Sequence, residues 1–300
     1  MPSEPNITGL VLHFRTPEST LACLQSLADE GVNKVVLVDN SEDDGMSVRS
    51  MTLGLARLRA IGLQVDLLQP KRNVGFGAGV AMGIRHVLQA RPTHLLLINS
   101  DAVLVRGALP HMLKLLSRYG VIVPRLASRV GQQGHCALMY YRRSTALLTV
   151  QPPRHEAVAI PSGCCLLIRQ DQLRTDLFDT DFFFYGEDIM LGFTLARRGV
   201  KMAECAEATA IHAGSASAKN GSMFYEYHMA RAHWLLASKL ANNGFERRLF
   251  ILGRCLSLPL RAFVRSVRGR TLMPWRGLFA ATADVLRERC RSFTPPASRV

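Results

Sequence analysis

The order of apolar runs in this chain predicts an α/β fold, a mostly parallel central sheet flanked by helices, with a helical extension at the C-terminal end. Three observations carry the prediction. Short Val-, Ile- and Leu-rich runs alternate with stretches of helical period through the first third of the chain, as expected of strands covered on both faces by crossover helices. Polar and acidic residues close those runs, at the strand ends where open α/β sheets gather ligands. From Lys219 onward the pattern becomes long, arginine-rich and amphipathic.

Ile7 to Phe14 reads as the first strand, a run with no charge in it. Glu18 to Glu30 reads as a helix from the spacing of Leu21, Leu24 and Leu27, and Lys34 to Asp39 as the second strand. Val48 to Ile61 is the next helix and Gln64 to Gln69 the third strand, which completes a βαβαβ unit. A glycine-rich turn from Asn73 to Gly79 opens a helix to about Ala90, and the strand His94 to Ile98 ends on Asn99, Ser100 and Asp101. Further on, Phe182, Phe183, Phe184 and Tyr185 pack a loop that carries Glu187 and Asp188. An amphipathic helix follows from Ile189 to Arg198, with Gly199 closing it, and the apolar run Ala206 to Ile211 ends at His212.

Composition excludes several classes. With 48% apolar and 20% charged residues over 300 positions the chain can bury a full core. Its seven cysteines form no CxxC pair and their odd number does not suit a complete disulfide framework, so reduced thiols are expected. The start MPSEPNITGL lacks a basic segment leading into an apolar one, and no window offers about 18 uncharged apolar residues, so neither export nor a membrane span is expected. The segment RNVGFGAGVAMG never satisfies GxGxxG, which removes the main support for hydride transfer, and GK[ST] occurs nowhere.

What remains is a chemistry of carboxylates and one imidazole. Asp39 closes VVLVDN where a carboxylate can read a nucleotide's base or ribose, or serve as a turn or helix cap. The glycine-rich turn lets backbone lie close to a phosphate or sugar. Asp101 sits where one carboxylate suffices for a magnesium or manganese ion that completes its shell with water and phosphate oxygens. A carboxyl buried among rings beside a second carboxyl, as Glu187 and Asp188 are expected to be, becomes a better proton acceptor.

Together these segments resemble a family, the inverting family 2 glycosyltransferases of GT-A fold, a Rossmann-like α/β architecture, and within it a rhamnosyltransferase-like branch that builds bacterial surface polysaccharides. The resemblance runs from Gly9 to about Leu240 through VVLVDNSEDDG, NVGFGAG, LLLINSDAVL, GVIVPRL, SGCCLLIR, FDTDFFFYGED, LARRG and the closing IH. It implies that Asp39 contacts the nucleotide base, that Asn73, Phe76 and Gly77 line the donor pocket, and that Asn99 and Ser100 belong to it. It implies further that Asp101 and His212 hold a divalent cation, Mn or Mg, on the donor's diphosphate, and that Asp188 is the general base with Glu187 its neighbour. The chain departs from the family's pattern in three places: Met190 stands where EDxD would end in an acid, Asn99 and Ser100 replace the acid and the frequent proline of the metal motif, and Ala81 replaces an asparagine.

The tail carries a second expectation. Of the formal net charge of +14, +11 lies from Lys219 onward. RRLFILGRCLSLPLRAFVRSVRGR (247–270) and MPWRGLFAATADVLRERCR (273–291) mix arginines with Leu, Phe, Val and Trp, the composition of helices that rest on anionic membrane surfaces; nucleic-acid binding is less favoured because no recognition fold accompanies the charge. The expected organisation is therefore a nucleotide-sugar transferase domain over 1–217 and a basic amphipathic extension over 218–300. The expected activity is transfer of a sugar from a dTDP- or UDP-sugar, with dTDP-rhamnose one candidate, to a glycan or lipid-linked acceptor, in the cytoplasm at the inner face of the cell membrane. A nucleotidyltransferase and a catalytically degenerate sugar-nucleotide-binding scaffold are the alternatives.

Overall fold

The computed structural model describes residues 6–90, 93–132, 134–151, 157–212 and 220–288. Its first part is the predicted alternation. Strand β1 (Ile7–His13) leads through α1 (Pro17–Asp29) to β2 (Lys34–Asp39), and on through α2 (Met46–Ser50) and α3 (Thr52–Ala60) to β3 (Gln64–Leu68). Helix α4 (Phe76–Val87) and β4 (His94–Asn99) follow. All pairings among these four strands are parallel, in the order β3, β2, β1, β4. Val35 to Val38 and Leu95 to Ile98 are wholly buried, which explains their unbroken apolar runs: helices cover both faces, so no position is left for a polar side chain.

One helix predicted over 48–61 is two in the structure. The chain tightens at Met51, whose N–H bonds Val48 O at 3.0 Å in place of the carbonyl four residues back, and Met51 itself is buried.

After β4 the sheet changes character. A short β5 (Ala102–Leu104), α5 (Ala108–Leu115) and β6 (Val121–Ala127) come next, then a hairpin region of β7 (Leu138–Arg142), β8 (Leu148–Thr149) and β9 (Ala157–Pro161), and then β10 (Cys165–Ile168). β10 runs antiparallel between β4 and β6, whereas the long β11 (Met202–His212) is parallel to β6. A register shift between Cys205 and Thr209 bends β11 so that its end pairs antiparallel with β5, setting His212 opposite Ala102. The full order is β3-β2-β1-β4-β10-β6-β11-β5, and β8-β7-β9 form a separate antiparallel sheet.

Helix α6 (Glu187–Arg197) begins two residues earlier than predicted, so Glu187 and Asp188 stand in its first turn and not on a loop. The cause lies just before it: Tyr185 (φ 64°) and Gly186 (φ 93°) are both left-handed, which turns the aromatic segment sharply into helix. Gly199 (φ 67°) ends that helix, with Val200 N–H reaching back to Leu195 O at 3.0 Å.

Three helices complete the described chain: α7 (Met223–Lys239), α8 (Gly244–Gly269) and α9 (Met273–Leu286). Although α7 lies beyond residue 217, its Ala232 and Leu236 and the following Leu240 share one apolar cluster with Tyr141, Ile160, Phe182, Met190 and Phe193. Lys239 pairs with Asp179 at 2.8 Å and Asp181 at 2.6 Å, which ties the end of α7 to the loop before α6. α8 is fastened to the small sheet by Arg254, which is fully buried and donates to Ser144 O (2.7 Å), Arg143 O (2.8 Å) and Tyr141 Oη (3.1 Å). Among the described residues no helix is long and apolar enough to cross a membrane.

Candidate active site

The carboxyl ends of β1, β2 and β4 open on one cleft. It is lined by His13, Thr16, Asn40, Asn73, Gly75, Phe76, Asn99, Ser100, Asp101 and His212, and roofed by Phe183, Phe184 and Phe224. Of the residues predicted for the site, Asn73, Phe76, Asn99, Ser100, Asp101 and His212 therefore come together. Asp101 and His212 meet because β5 and the end of β11 are paired: His212 Nε2 stands 3.2 Å from Asp101 Oδ1.

Asp39 and Gly77 are not among the cleft's lining residues. Asp39 is buried, its Oδ1 accepts from Ser41 N–H (3.1 Å) and its Oδ2 from Gln69 Nε2 (3.1 Å), so it braces the turn that Asn40 presents. Asn40 in turn holds the glycine loop, accepting from Val74 N–H at 3.0 Å and donating to Gly75 O at 3.1 Å. Gly75 must be glycine twice over. Its φ is 84°, and a Cβ there would collide with Phe183 O, the carbonyl that accepts from Phe76 N–H at 2.9 Å.

His13 is a residue that sequence reasoning missed. It is fully buried at the end of β1, Nδ1 lies 2.7 Å from Thr20 Oγ1, and Nε2 has no partner. Burial lowers its pKa, against the opposing charges of Asp39 and Asp43, so it faces the cleft as a neutral imidazole. Its position at a strand's carboxyl end is the signal that would have nominated it.

A second and larger cavity, about 710 Å³, adjoins the first. Glu187 and Asp188 lie on its wall together with Tyr185, Ile189, Tyr225 and residues of β7 and α8. The chain itself connects the two spaces, since Phe183 and Phe184 line the cleft while Tyr185 to Asp188 line the cavity. The segment at the start of β10 also lies between them. Asn99 N–H bonds Cys164 O at 2.9 Å, and Cys164 is within electrostatic reach of both Asp101 and Asp188.

Glu187 Oε2 and Asp188 Oδ1 are buried without hydrogen-bond partners. Burial raises both carboxyl pKa values. The Asp188 charge adds to the rise at Glu187, whereas a backbone hydrogen bond from Gly163 opposes it at Asp188. A Cβ at Gly163 would strike Asp188 Oδ1, so the glycine is the space in which that carboxylate sits. Met190, two residues on, is core: it packs with Phe182, Phe193 and Leu236, where an added acid would be buried among apolar side chains.

The donor set at Asp101 and His212 suits a hard divalent ion. Among the described residues no group of three His, Cys, Asp or Glu converges, but one carboxylate and one imidazole match a cation that takes its remaining oxygens from water and a diphosphate.

Comparison with known proteins agrees with this architecture. Residues 5–235 match the family described as glycosyltransferase like family 2. Among solved structures the chain is similar to GalNAc-T7 with UDP, GalNAc and Mn2+, at a TM-score of 0.57 and 12% identity over 90% of this chain. It spans 58% of that protein's length. It is also similar to S. aureus TarS 1–349 in complex with UDP-GlcNAc, with a TM-score of 0.56, 15% identity, 94% of this chain and 81% of that one. At these identities the likeness is one of fold, and the fold is GT-A. No curated protein matches the sequence.

Proposed function

Because the chain belongs to the glycosyltransferase-like family 2, we propose that it transfers a sugar from a nucleoside-diphosphate donor, a UDP- or dTDP-sugar, to a glycan or lipid-linked acceptor with inversion at the anomeric carbon. One observation carries the reading. A single short stretch, Phe183 to Asp188, passes from the wall of the cleft that holds Asp101 and His212 to the wall of a second cavity that holds a buried carboxylate, Asp188, whose Oδ1 has no hydrogen-bond partner. Two substrates could thus meet across it.

In this reading the cleft binds the donor. Asn73 and the glycine turn lie along its sugar and phosphates, neutral His13 offers Nε2 as a hydrogen-bond partner, and the phenylalanine roof keeps water from the anomeric carbon. Asp101 and His212 would hold a divalent cation, which supplies charge neutralisation to the departing diphosphate. From the cavity side Asp188 takes the proton of the acceptor hydroxyl as its oxygen bonds the anomeric carbon. The bond from that carbon to the phosphate oxygen breaks on the opposite face, and its electron pair leaves with the nucleoside diphosphate. Entry and departure on opposite faces invert the centre, and no covalent enzyme intermediate is needed. GalNAc-T7 with UDP and Mn2+ and TarS with UDP-GlcNAc support a UDP-sugar over other donors, and the rhamnosyltransferase-like series of sequence segments keeps dTDP-rhamnose a candidate.

The exposed apolar and arginine-rich face of α8 supports a peripheral position on an anionic leaflet, which would place the enzyme at the inner face of the cell membrane. The donor reading is tested by thermal unfolding with UDP, dTDP and GDP, each with and without Mn2+, on wild type and Asp101→Ala. A ligand at 100 times its Kd adds about 2.7 kcal/mol, a shift of several degrees. Stabilisation by one nucleoside diphosphate, dependent on Mn2+ and lost in Asp101→Ala, is the expected result. Absence of any nucleotide effect would overturn the reading.

A further inference from the structure

The cavity beside Glu187 and Asp188 is not shaped as a pure sugar site. Its walls are mostly apolar: Met139, Leu147 and Leu148 from the small sheet, and Leu258, Leu260 and Val264 from α8. Sugar hydroxyls need many hydrogen-bond partners, whereas an aliphatic chain needs apolar surface. The cavity's arginines lie along one line, where Arg261, Arg265 and Arg268 descend α8 about one turn apart.

Charge along that line is positive. Arg261 and Arg265 share one buried carboxylate, Glu226, at 3.4 and 2.6 Å, and Tyr225 lies under both guanidinium groups. Arg268 is exposed and has no ion-pair partner among the described residues. Three guanidinium groups against one carboxylate leave an excess for an anionic ligand, and planar guanidinium is suited to phosphate oxygens. Burial pushes the Glu187 carboxyl up to about 8, so near neutral pH Asp188, which is ionised as the base, is the one member of that pair that adds negative charge here.

The cavity also continues onto the outer surface. Leu260 lines it and is 63% exposed, and it belongs to a stripe on α8 with Phe245, Leu249, Leu252, Leu256, Phe263 and Val267, all exposed and spaced three or four residues apart. An aliphatic chain leaving the cavity past Leu260 would run directly onto that stripe.

We infer that this cavity binds the acceptor as a lipid phosphate, with the phosphate on Arg265 and Arg268, the first part of the aliphatic chain against Leu148, Leu260 and Val264, and the acceptor hydroxyl toward Asp188. The inference rests on the transferase reading above and narrows its acceptor from any glycan to an amphiphile bearing a phosphate or diphosphate.

Calorimetric titration of the full chain with farnesyl diphosphate, farnesol and inorganic diphosphate, with divalent metal omitted, tests it. Farnesyl diphosphate should saturate, and the two fragments should each bind at least about tenfold more weakly, because each lacks half of the contacts. Arg268→Glu and Leu148→Glu, both at exposed positions, should each weaken farnesyl diphosphate by about tenfold or more, the cost of one charge-assisted contact or of burying a carboxylate against the chain. UDP binding with Mn2+, read on the same variants, reports the donor cleft and the fold separately. Equal affinity for inorganic and farnesyl diphosphate, or indifference to both substitutions, overturns the inference. Displacement of farnesyl diphosphate by phosphatidylglycerol vesicles also overturns it, since the arginines would then read bilayer headgroups. If UDP binds and farnesyl diphosphate does not, the lipid-phosphate acceptor falls and the transferase stands; if UDP alone fails, the donor reading is the one that falls.

Discussion

In the transfer proposed above Asp188 is the base, and its burial beside Glu187 sets the sign of the pH effects expected of it. Asp188→Asn keeps shape and removes the base, so transfer should fall by about 10² to 10⁴-fold while UDP affinity is retained, which a steady-state assay beside a binding titration would check. The buried pair Glu187 and Asp188 holds its protons at pH values where the unfolded chain has released them. Its contribution to stability is therefore full below the ordinary carboxylate range and is lost as pH rises through the raised values. Activity has the opposite dependence, because the base must be ionised, and kcat/KM should show an acid limb above the usual aspartate range. Melting curves over pH should show wild type losing stability on the alkaline side relative to Asp188→Asn; parallel curves would remove the pair from this role. Gly163→Ala offers a second probe, since its Cβ would displace the Asp188 carboxylate, and it should lower activity while leaving the donor cleft's nucleotide binding in place. Some of this was legible in the sequence: the acidic pair, its aromatic neighbours, Asp101 and His212. His13 and Gly163 were not, because a lone histidine or glycine reveals its role only when a buried face or a facing carboxylate is known.

Among the elements, α7 offers little pattern to read. Its periodicity is nearly featureless, since it is packed on opposite sides by the α6 region and by α8 and α9, so neither side is reserved for polar residues. Its Glu226 is buried and is the carboxylate that holds Arg261 and Arg265 of α8. Glu226→Ala leaves two cations without their partner. Both arginines are roughly a quarter exposed, which screens the loss, and a cost of about 2–3 kcal/mol is expected, a fall of several degrees in Tm by calorimetry. An unchanged Tm would show that α8 is held by Arg254 and apolar packing alone. The parallel strands were legible because burial on both faces leaves an unbroken apolar run. The small sheet of β7 to β9 was not: its strands are short and half-exposed, and the hairpin is held by Arg254, 100 and more residues away in sequence.

At the scale of the whole molecule, the charge and the apolar surface fall on the same part of the chain. Seven large apolar side chains of α8 face outward in one stripe, and Leu272 just before α9 and Phe279 and Leu286 within it are exposed as well. Arg247, Arg248 and Arg270 are exposed near the two ends of α8. A soluble protein rarely leaves so long an apolar stripe uncovered, and the peripheral position proposed above has an anionic surface cover it, drawn by the adjoining positive charge. Binding to phosphatidylglycerol vesicles should therefore be strong, weaken steadily with salt, and be absent on neutral phosphatidylcholine vesicles; co-sedimentation measures all three. Leu256→Glu with Phe263→Glu removes two side chains that are 71% and 57% exposed, so the fold should keep its Tm while vesicle affinity drops. Full burial of a Leu or Phe contributes about 1.5–3 kcal/mol, so the pair should cost more than tenfold in affinity even if each inserts only partly. Retained binding in that variant would mean that charge alone holds the protein at the surface. Loss of binding with no loss of farnesyl diphosphate affinity would separate the membrane face from the acceptor cavity that opens beside it.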